Sequence, residues 1–244
     1  MGPILFNLFI NDIVNIPGCK KILFADDTVL YVEGNTFCEC IEDIKSILKH
    51  LSEWLFENKL LANESKTKLM LISRHRVPDL PVIFFNNVAL EWVSNIKYLG
   101  TIIDNKLKFN EHVNYICTRL SQMKGIFYSL SHFVPRDILI NIYSGLVYPI
   151  ITYNIVVWGG VNRTATNRIN VLINGILRHI LRVKFQNYRP DISTSDMYKN
   201  LSILKFKDVY KMFLLKFIHK VYYDRTDIFE KFFSPLLPQT TYST

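Results

Sequence analysis

Along this chain the spacing of apolar residues changes character once, near residue 104, and that change restricts the fold more than any other feature. Before it, short β-branched and aromatic runs are interleaved with helical spacing. After it, apolar residues recur every three or four positions for most of the remaining length. The reading is therefore α+β, with residues 1–104 mixed and residues 105–244 nearly all helical, and with no internal repeat or low-complexity tract. At 244 residues the chain is long enough to build a core without disulfides, and at 49% apolar residues it is not a disordered polymer. Its four cysteines (Cys19, Cys38, Cys40, Cys117) contain no C-x-x-C pair, which favours a reduced interior without zinc.

Charge is divided as unevenly as periodicity. Residues 1–60 hold five basic and nine acidic side chains, net −4, whereas residues 61–244 carry +12. An acidic head and a basic body suit metal binding in the first part and a polyanion along the second; a basic protein with ordinary solvated lysines is the plainer alternative. The N-terminus lacks the Ser or Thr that a myristoylation motif needs at Phe6, and the apolar stretch Pro3–Ile10 has no basic flank, so it reads as a buried helix rather than a signal peptide. Ile138 to Val161 holds no charged residue and is long enough to cross a bilayer. Asn141, Ser144, Thr152, Asn154, the central Pro149 and the Gly159-Gly160 pair favour a segment buried in a helical domain over a membrane span.

In the first part, Ile22–Ala25 and Thr28–Val32 flank Asp26-Asp27, the pattern of a hairpin with two carboxylates at its tip. Thr36 and Glu39 form a capping box, and apolar spacing from Phe37 to Leu60 predicts a helix. Lys68–Ser73 reads as a strand, Val82–Phe85 and Val88–Trp92 as a hairpin around Asn86-Asn87, and Lys97–Ile103 as one further β run. Helices are expected over 110–132, 136–148 behind Pro135, 164–183, 195–202 and 206–222. Between Arg163 and Arg189 there is no acidic residue. Arg163, Arg168, Arg178, Arg182, Lys184 and Arg189 form a basic face opposite Ile169, Leu172, Ile173, Ile176 and Ile180, which is either a solvated surface or a nucleic-acid contact with Phe185 or Tyr188 available for stacking.

Neighbouring carboxylates at a hairpin tip repel each other and gain by sharing Mg²⁺ or Mn²⁺, as phosphoryl transfer requires, although an Asp-Asp pair alone is usually just turn chemistry. Four segments in order give the pair its context. Gly2-Pro3-Ile4-Leu5-Phe6-Asn7-Leu8-Phe9-Ile10-Asn11-Asp12-Ile13, Phe24-Ala25-Asp26-Asp27-Thr28, Trp54 to Lys68, and Lys97-Tyr98-Leu99-Gly100 together resemble the reverse transcriptases of non-LTR (LINE-type, Jockey-like) retrotransposons. Later stretches, Tyr148–Tyr153 with Trp158-Gly159 and Leu201–Lys205, resemble the helical region that follows the palm in these elements.

The resemblance implies an incomplete polymerase palm with a primer-grip-like segment over 1–104, followed by a helical, basic, thumb-like region over 105–244. It makes Asp26 and Asp27 metal ligands for Mg²⁺ or Mn²⁺, Lys66 the proton donor to leaving pyrophosphate, and Tyr98, Leu99 and Gly100 the primer grip. RNA template and DNA primer become the partners, with no small-molecule cofactor and no membrane. It also implies that another essential aspartate, and the fingers, belong upstream of the Gly2-Pro3 segment. Asp12 and Asp104 are poor substitutes for that aspartate, so polymerisation by these residues alone is not expected. A non-catalytic nucleic-acid-binding remnant is the alternative.

Overall fold

The computed structural model describes residues 1–73, 79–181 and 193–223, and it divides into two compact units, Met1–Ser94 and Asn95–Thr244. The first unit opens with α1 (Gly2–Phe9) and a 3-10 turn (Asn11–Asn15), then a hairpin of β1 (Lys20–Phe24) and β2 (Asp27–Tyr31). The pair is antiparallel, in register from Lys20↔Tyr31 to Phe24↔Asp27. α2 (Phe37–Glu57) follows, and it starts where the sequence predicts: Thr36 Oγ1 accepts from the Glu39 N–H and the Glu39 carboxylate accepts from the Thr36 N–H, both at 3.3 Å.

Short strands complete this unit. β3 (Lys68–Leu69) runs parallel to β6 (Glu91–Trp92), and β4 (Phe84–Phe85) pairs with β5 (Val88–Ala89) through the turn Asn86–Asn87, both at positive φ. The strand expected over Lys68–Ser73 is thus cut to two residues, and Glu91-Trp92 leave the expected hairpin to pair with them. Ile41, Leu48, Leu69, Ile83, Phe85 and Leu90 form a small core under α2.

One expectation fails here. α1 was to be buried, yet Ile4, Leu5 and Leu8 are 60–70% exposed and Phe9 is nearly half exposed; only Ile10, Ile13 and Ile16 beyond it are covered. Apolar composition sets what a helix can bury, but burial needs a facing surface, and within this unit none of the described elements covers α1.

The second unit begins with a hairpin, β7 (Asn95–Tyr98) and β8 (Thr101–Asp104), where the sequence suggested one continuous run. Its two-residue turn is Leu99–Gly100, at φ +43° and +78°; a leucine in the left-handed region is what hid the turn from sequence reasoning. The Asp104 carboxylate then accepts the N–H groups of Lys106 (3.0 Å), Lys108 (3.1 Å) and Phe109, which winds the chain into α3 (Asn110–Leu130). α4 (Arg136–Ile142) follows with Pro135 at its cap. A π-helical turn (Tyr143–Val147), α5 (Tyr148–Thr152) and α6 (Ile155–Trp158) come next, then α7 (Arg163–Leu181), α8 (Thr194–Asn200) and α9 (Phe206–Tyr223).

The wide turn at Tyr143–Val147 precedes Pro149, which cannot donate to the carbonyl four residues back and would clash with it in a regular helix. The helical path through Ile138–Val161 ends at Thr152 and resumes only at Ile155, and no helix of the described residues is long and apolar enough to cross a membrane. Leu139, Tyr143, Val147, Ile150, Ile151, Ile155 and Trp158 instead enter a continuous core with Val113, Leu120, Phe127, Ile169, Ile176 and Phe206. Its backbone is the α3–α7 pair. Arg168 bonds to Asn114 near one end of the seam, Lys124 lies over Gly175 further on, and the Tyr128 and His179 rings meet 5.5 Å apart at the other end, so the two helices run parallel.

Candidate active site and nucleic-acid surface

The carboxylate pair stands where the sequence puts it. Ala25 and Asp26 make the two-residue turn of the β1–β2 hairpin, and Asp27 closes it opposite Phe24; both aspartates are exposed. Ala25 sits at φ +51°, a region that costs an L-residue about 1–2 kcal/mol, so the strain of this turn lies on the residue next to the carboxylates. Asp27 shares its face of the hairpin with Ile22, Phe24, Val29 and Tyr31, since cross-strand partners and alternate residues point the same way. Three of these are substantially open to solvent: Ile22 (47%), Phe24 (59%) and Tyr31 (38%). The tip is therefore a pair of negative charges at the end of a largely exposed apolar face whose far end carries Lys20 over the Tyr31 ring.

Lys66 is exposed in a turn organised by Asn63, whose carbonyl accepts from Lys66 and Thr67 N–H and whose side-chain oxygen accepts from the Ser65 hydroxyl (2.7 Å) and from the Lys66 N–H (3.2 Å). That fixes the backbone and leaves the ammonium at the surface; Lys66 forms no ion pair with Asp26 or Asp27. Asp12 lies exposed on the 3-10 turn, and the Asp104 carboxylate is spent on its loop. Among the described residues no three Asp, Glu, His or Cys side chains converge on one point. Asp26 and Asp27 can thus supply two ligands to a divalent ion, but the described residues do not by themselves make a metal site. A groove of about 590 Å³ at the start of α2, lined by Glu33, Cys38, Glu39, Glu42 and Asp43, includes none of the candidate residues.

Tyr98, Leu99 and Gly100 are held by three residues to which the sequence assigns no part in the grip. The Tyr153 hydroxyl donates to the Leu99 carbonyl (2.7 Å), the Asn154 amide donates to Thr101 Oγ1 (2.9 Å), and His112 Nδ1 accepts the Ile102 N–H (3.2 Å). A Cβ on Gly100 would lie 3.1 Å from the Tyr153 ring, so the turn needs glycine there for space as well as for φ. His112 is buried, and desolvation lowers its pKa from 6.5, which keeps the imidazole neutral and able to accept. These contacts span ten to fifty-four residues, beyond what local pattern can register.

α7 presents Arg163, Arg168 and Arg178 to solvent and buries Ile169, Ile173, Ile176 and Ile180, with Leu172 partly covered, as its spacing predicts. Arg168 is tethered to Asn114 Oδ1 at 2.9 Å. Arg182, Lys184 and Arg189, with Phe185 and Tyr188, lie outside the described residues.

Residues 1–103, which hold the aspartate hairpin, the Lys66 turn and nearly all of β7–β8, match the family described as reverse transcriptase (RNA-dependent DNA polymerase). The chain is 25% identical over 239 residues to the RNA-directed DNA polymerase from mobile element jockey of Drosophila funebris, an alignment covering 93% of this chain and 25% of that protein. It is 28% identical over 192 residues to the probable RNA-directed DNA polymerase from transposon BS of Drosophila melanogaster (74% of this chain, 21% of that protein). To the probable polymerase from transposon X-element of the same species it is 26% identical over 189 residues (74% and 21%). The first 103 residues of the chain thus match the reverse transcriptase family.

The chain spans between a fifth and a quarter of the length of these curated relatives. No solved structure matches it. Reverse transcriptases as a family bind a nucleic-acid template and primer and work with a divalent metal, and the α+β composition of the chain is consistent with the match over residues 1–103.

Proposed function

We propose that this chain provides the metal-side and primer-side portion of an RNA-directed DNA polymerase of a non-LTR mobile element. The carrying observation is the Asp26–Asp27 pair on the tight turn of a hairpin inside the segment that matches the family. In this reading Asp26 and Asp27 ligate Mg²⁺ or Mn²⁺, which when bound stabilises charge on the transferred phosphoryl group. Lys66 Nζ offers a proton to the departing pyrophosphate, the Leu99–Gly100 turn with Tyr98 positions the primer end, and Arg163, Arg168 and Arg178, with Arg182, Lys184 and Arg189, track the phosphate backbone. Residues 1–104 then serve as palm and 105–244 as thumb-like support, with RNA template and DNA primer as partners.

A two-metal centre takes carboxylates from more than one strand, and the described residues bring no third to the tip. Primer extension on an RNA template is therefore expected to be absent with this chain alone and present when it is joined behind the corresponding upstream region of a jockey relative. In that chimaera Asp26→Ala should lower extension roughly a thousandfold or more, as loss of several kcal/mol of transition-state stabilisation demands. A chimaera that extends primers equally well with Asp26→Ala would overturn the assignment. Binding without chemistry is the second reading. It is favoured by the exposed arginines of α7 and the +12 charge of residues 61–244.

A further inference from the structure

We propose that Lys97 and Arg119, gathered around the ring of Tyr115, form a phosphate-binding pincer for a nucleic-acid strand where the β7–β8 hairpin meets α3. The inference rests on the reading that this chain binds nucleic acid, and it places a contact away from the α7 face.

Lys97 projects from the solvent side of β7, and its ammonium lies 5.5 Å from the centroid of Tyr115. Arg119, one turn after Tyr115 on α3, brings its guanidinium carbon to 5.9 Å from the same centroid. Each is within the range in which an aromatic face attracts a cation. The ring thus draws two like charges, from two different elements, no farther apart than the sum of those distances. Neither makes an ion pair among the described residues, and the nearby Asp104 carboxylate is already occupied by backbone N–H groups of its own loop. Two cations that repel each other and lack a carboxylate between them are best satisfied by an anion that bridges them, and one phosphate or two neighbours on a strand fit that span.

The arrangement is also braced. Tyr115 lies beside His112 (6.1 Å between centroids), His112 meets the edge of Trp158 (5.0 Å), and Trp158 stacks on Phe206 (5.7 Å), so a column of rings runs from the surface into the core. His112 also accepts the N–H of Ile102, the direct cross-strand partner of Lys97. The hairpin is therefore pinned to α3 at the very pair that carries one arm of the pincer, and a site whose supports are already fixed loses little freedom on binding.

The test is anisotropy of a labelled DNA oligonucleotide with the whole chain across a salt series. Lys97→Gln with Arg119→Gln is compared with two equally charge-reducing doubles, Arg163→Gln with Arg178→Gln on α7, and Lys207→Gln with Lys211→Gln on the exposed side of α9. If each pincer cation holds one phosphate, the first double should flatten the slope of log K against log salt by about 1.4 on single strands and about 1.8 on duplex. The α9 double should leave the slope nearly unchanged. Tyr115→Leu, which keeps both charges and removes their anchor, should weaken binding with little change in slope. A pincer double that binds like the parent while the α7 double weakens would overturn the pincer and leave nucleic-acid binding standing. An equal loss in the α9 double would overturn it too, since the effect would then be net charge. No salt-dependent binding by the parent chain would remove both the pincer and the binding reading beneath it. Lys97 and Arg119 are exposed, so a far-ultraviolet circular dichroism spectrum suffices to show that the variants fold.

Discussion

His112 shows how one side chain decides a local architecture. It is almost fully buried, its Nδ1 accepts the Ile102 N–H, and its other ring nitrogen has no hydrogen-bond partner. Protonation would remove the acceptor and place a charge in the core, so burial holds the folded-state pKa below 6.5. The sign follows from proton counts. The unfolded chain takes up a proton near 6.5 and the folded chain only at lower pH, so between those values the unfolded state binds more protons and stability rises with pH. Melting temperature is expected to hold above about pH 7 and to fall as pH drops below the ordinary histidine value of 6.5. His112→Gln should start from lower stability and show a shallower loss over that window. Equal slopes for parent and variant, measured by thermal melts across the pH series, would rule His112 out as the group responsible.

Among the elements, α6 and α9 meet closely at Gly159. A Cβ on Gly159 would lie 2.5 Å from both the Ile155 carbonyl oxygen and Cδ2 of Tyr210. The first cannot move without breaking α6, so Gly159→Ala should destabilise by about 1–3 kcal/mol, seen as a lowered urea midpoint with an unchanged slope. Gly175→Ala, where the neighbour is the flexible end of Lys124, should cost much less. Elements whose cause is local were legible in the sequence: α2 from its cap and spacing, β1–β2 from two β runs around Asp26-Asp27, and α7 from its isoleucines. The failures have a common physical origin. The Leu99–Gly100 turn is stabilised by Tyr153, which is distant in sequence; the π-helical turn answers to Pro149 within a packed core; and the exposure of α1 depends on surfaces its own sequence does not encode. At the candidate site, the residue types and the tip were readable, whereas the supports of the grip turn (His112, Tyr153, Asn154) were not, because each acts through a contact made only after folding.

At the scale of the whole molecule, the two units are built to different depths. Among the described residues, the first closes on a cluster of six buried apolar residues around one long helix, and the second on a continuous core that draws on each of its described helices. Buried apolar area sets most of the stability, so calorimetry is expected to resolve two transitions, with Met1–Ser94 melting first. A single transition with equal calorimetric and van't Hoff enthalpies would show instead that the units unfold as one. The ring column has a further use, because the chain has only three tryptophans, Trp54 and Trp92 in the first unit and Trp158 in the second. Trp158 touches the imidazole that latches the β7–β8 hairpin. With the other two replaced by phenylalanine, its emission becomes a built-in optical gauge: charging His112 or releasing the hairpin would change the light from a single indole.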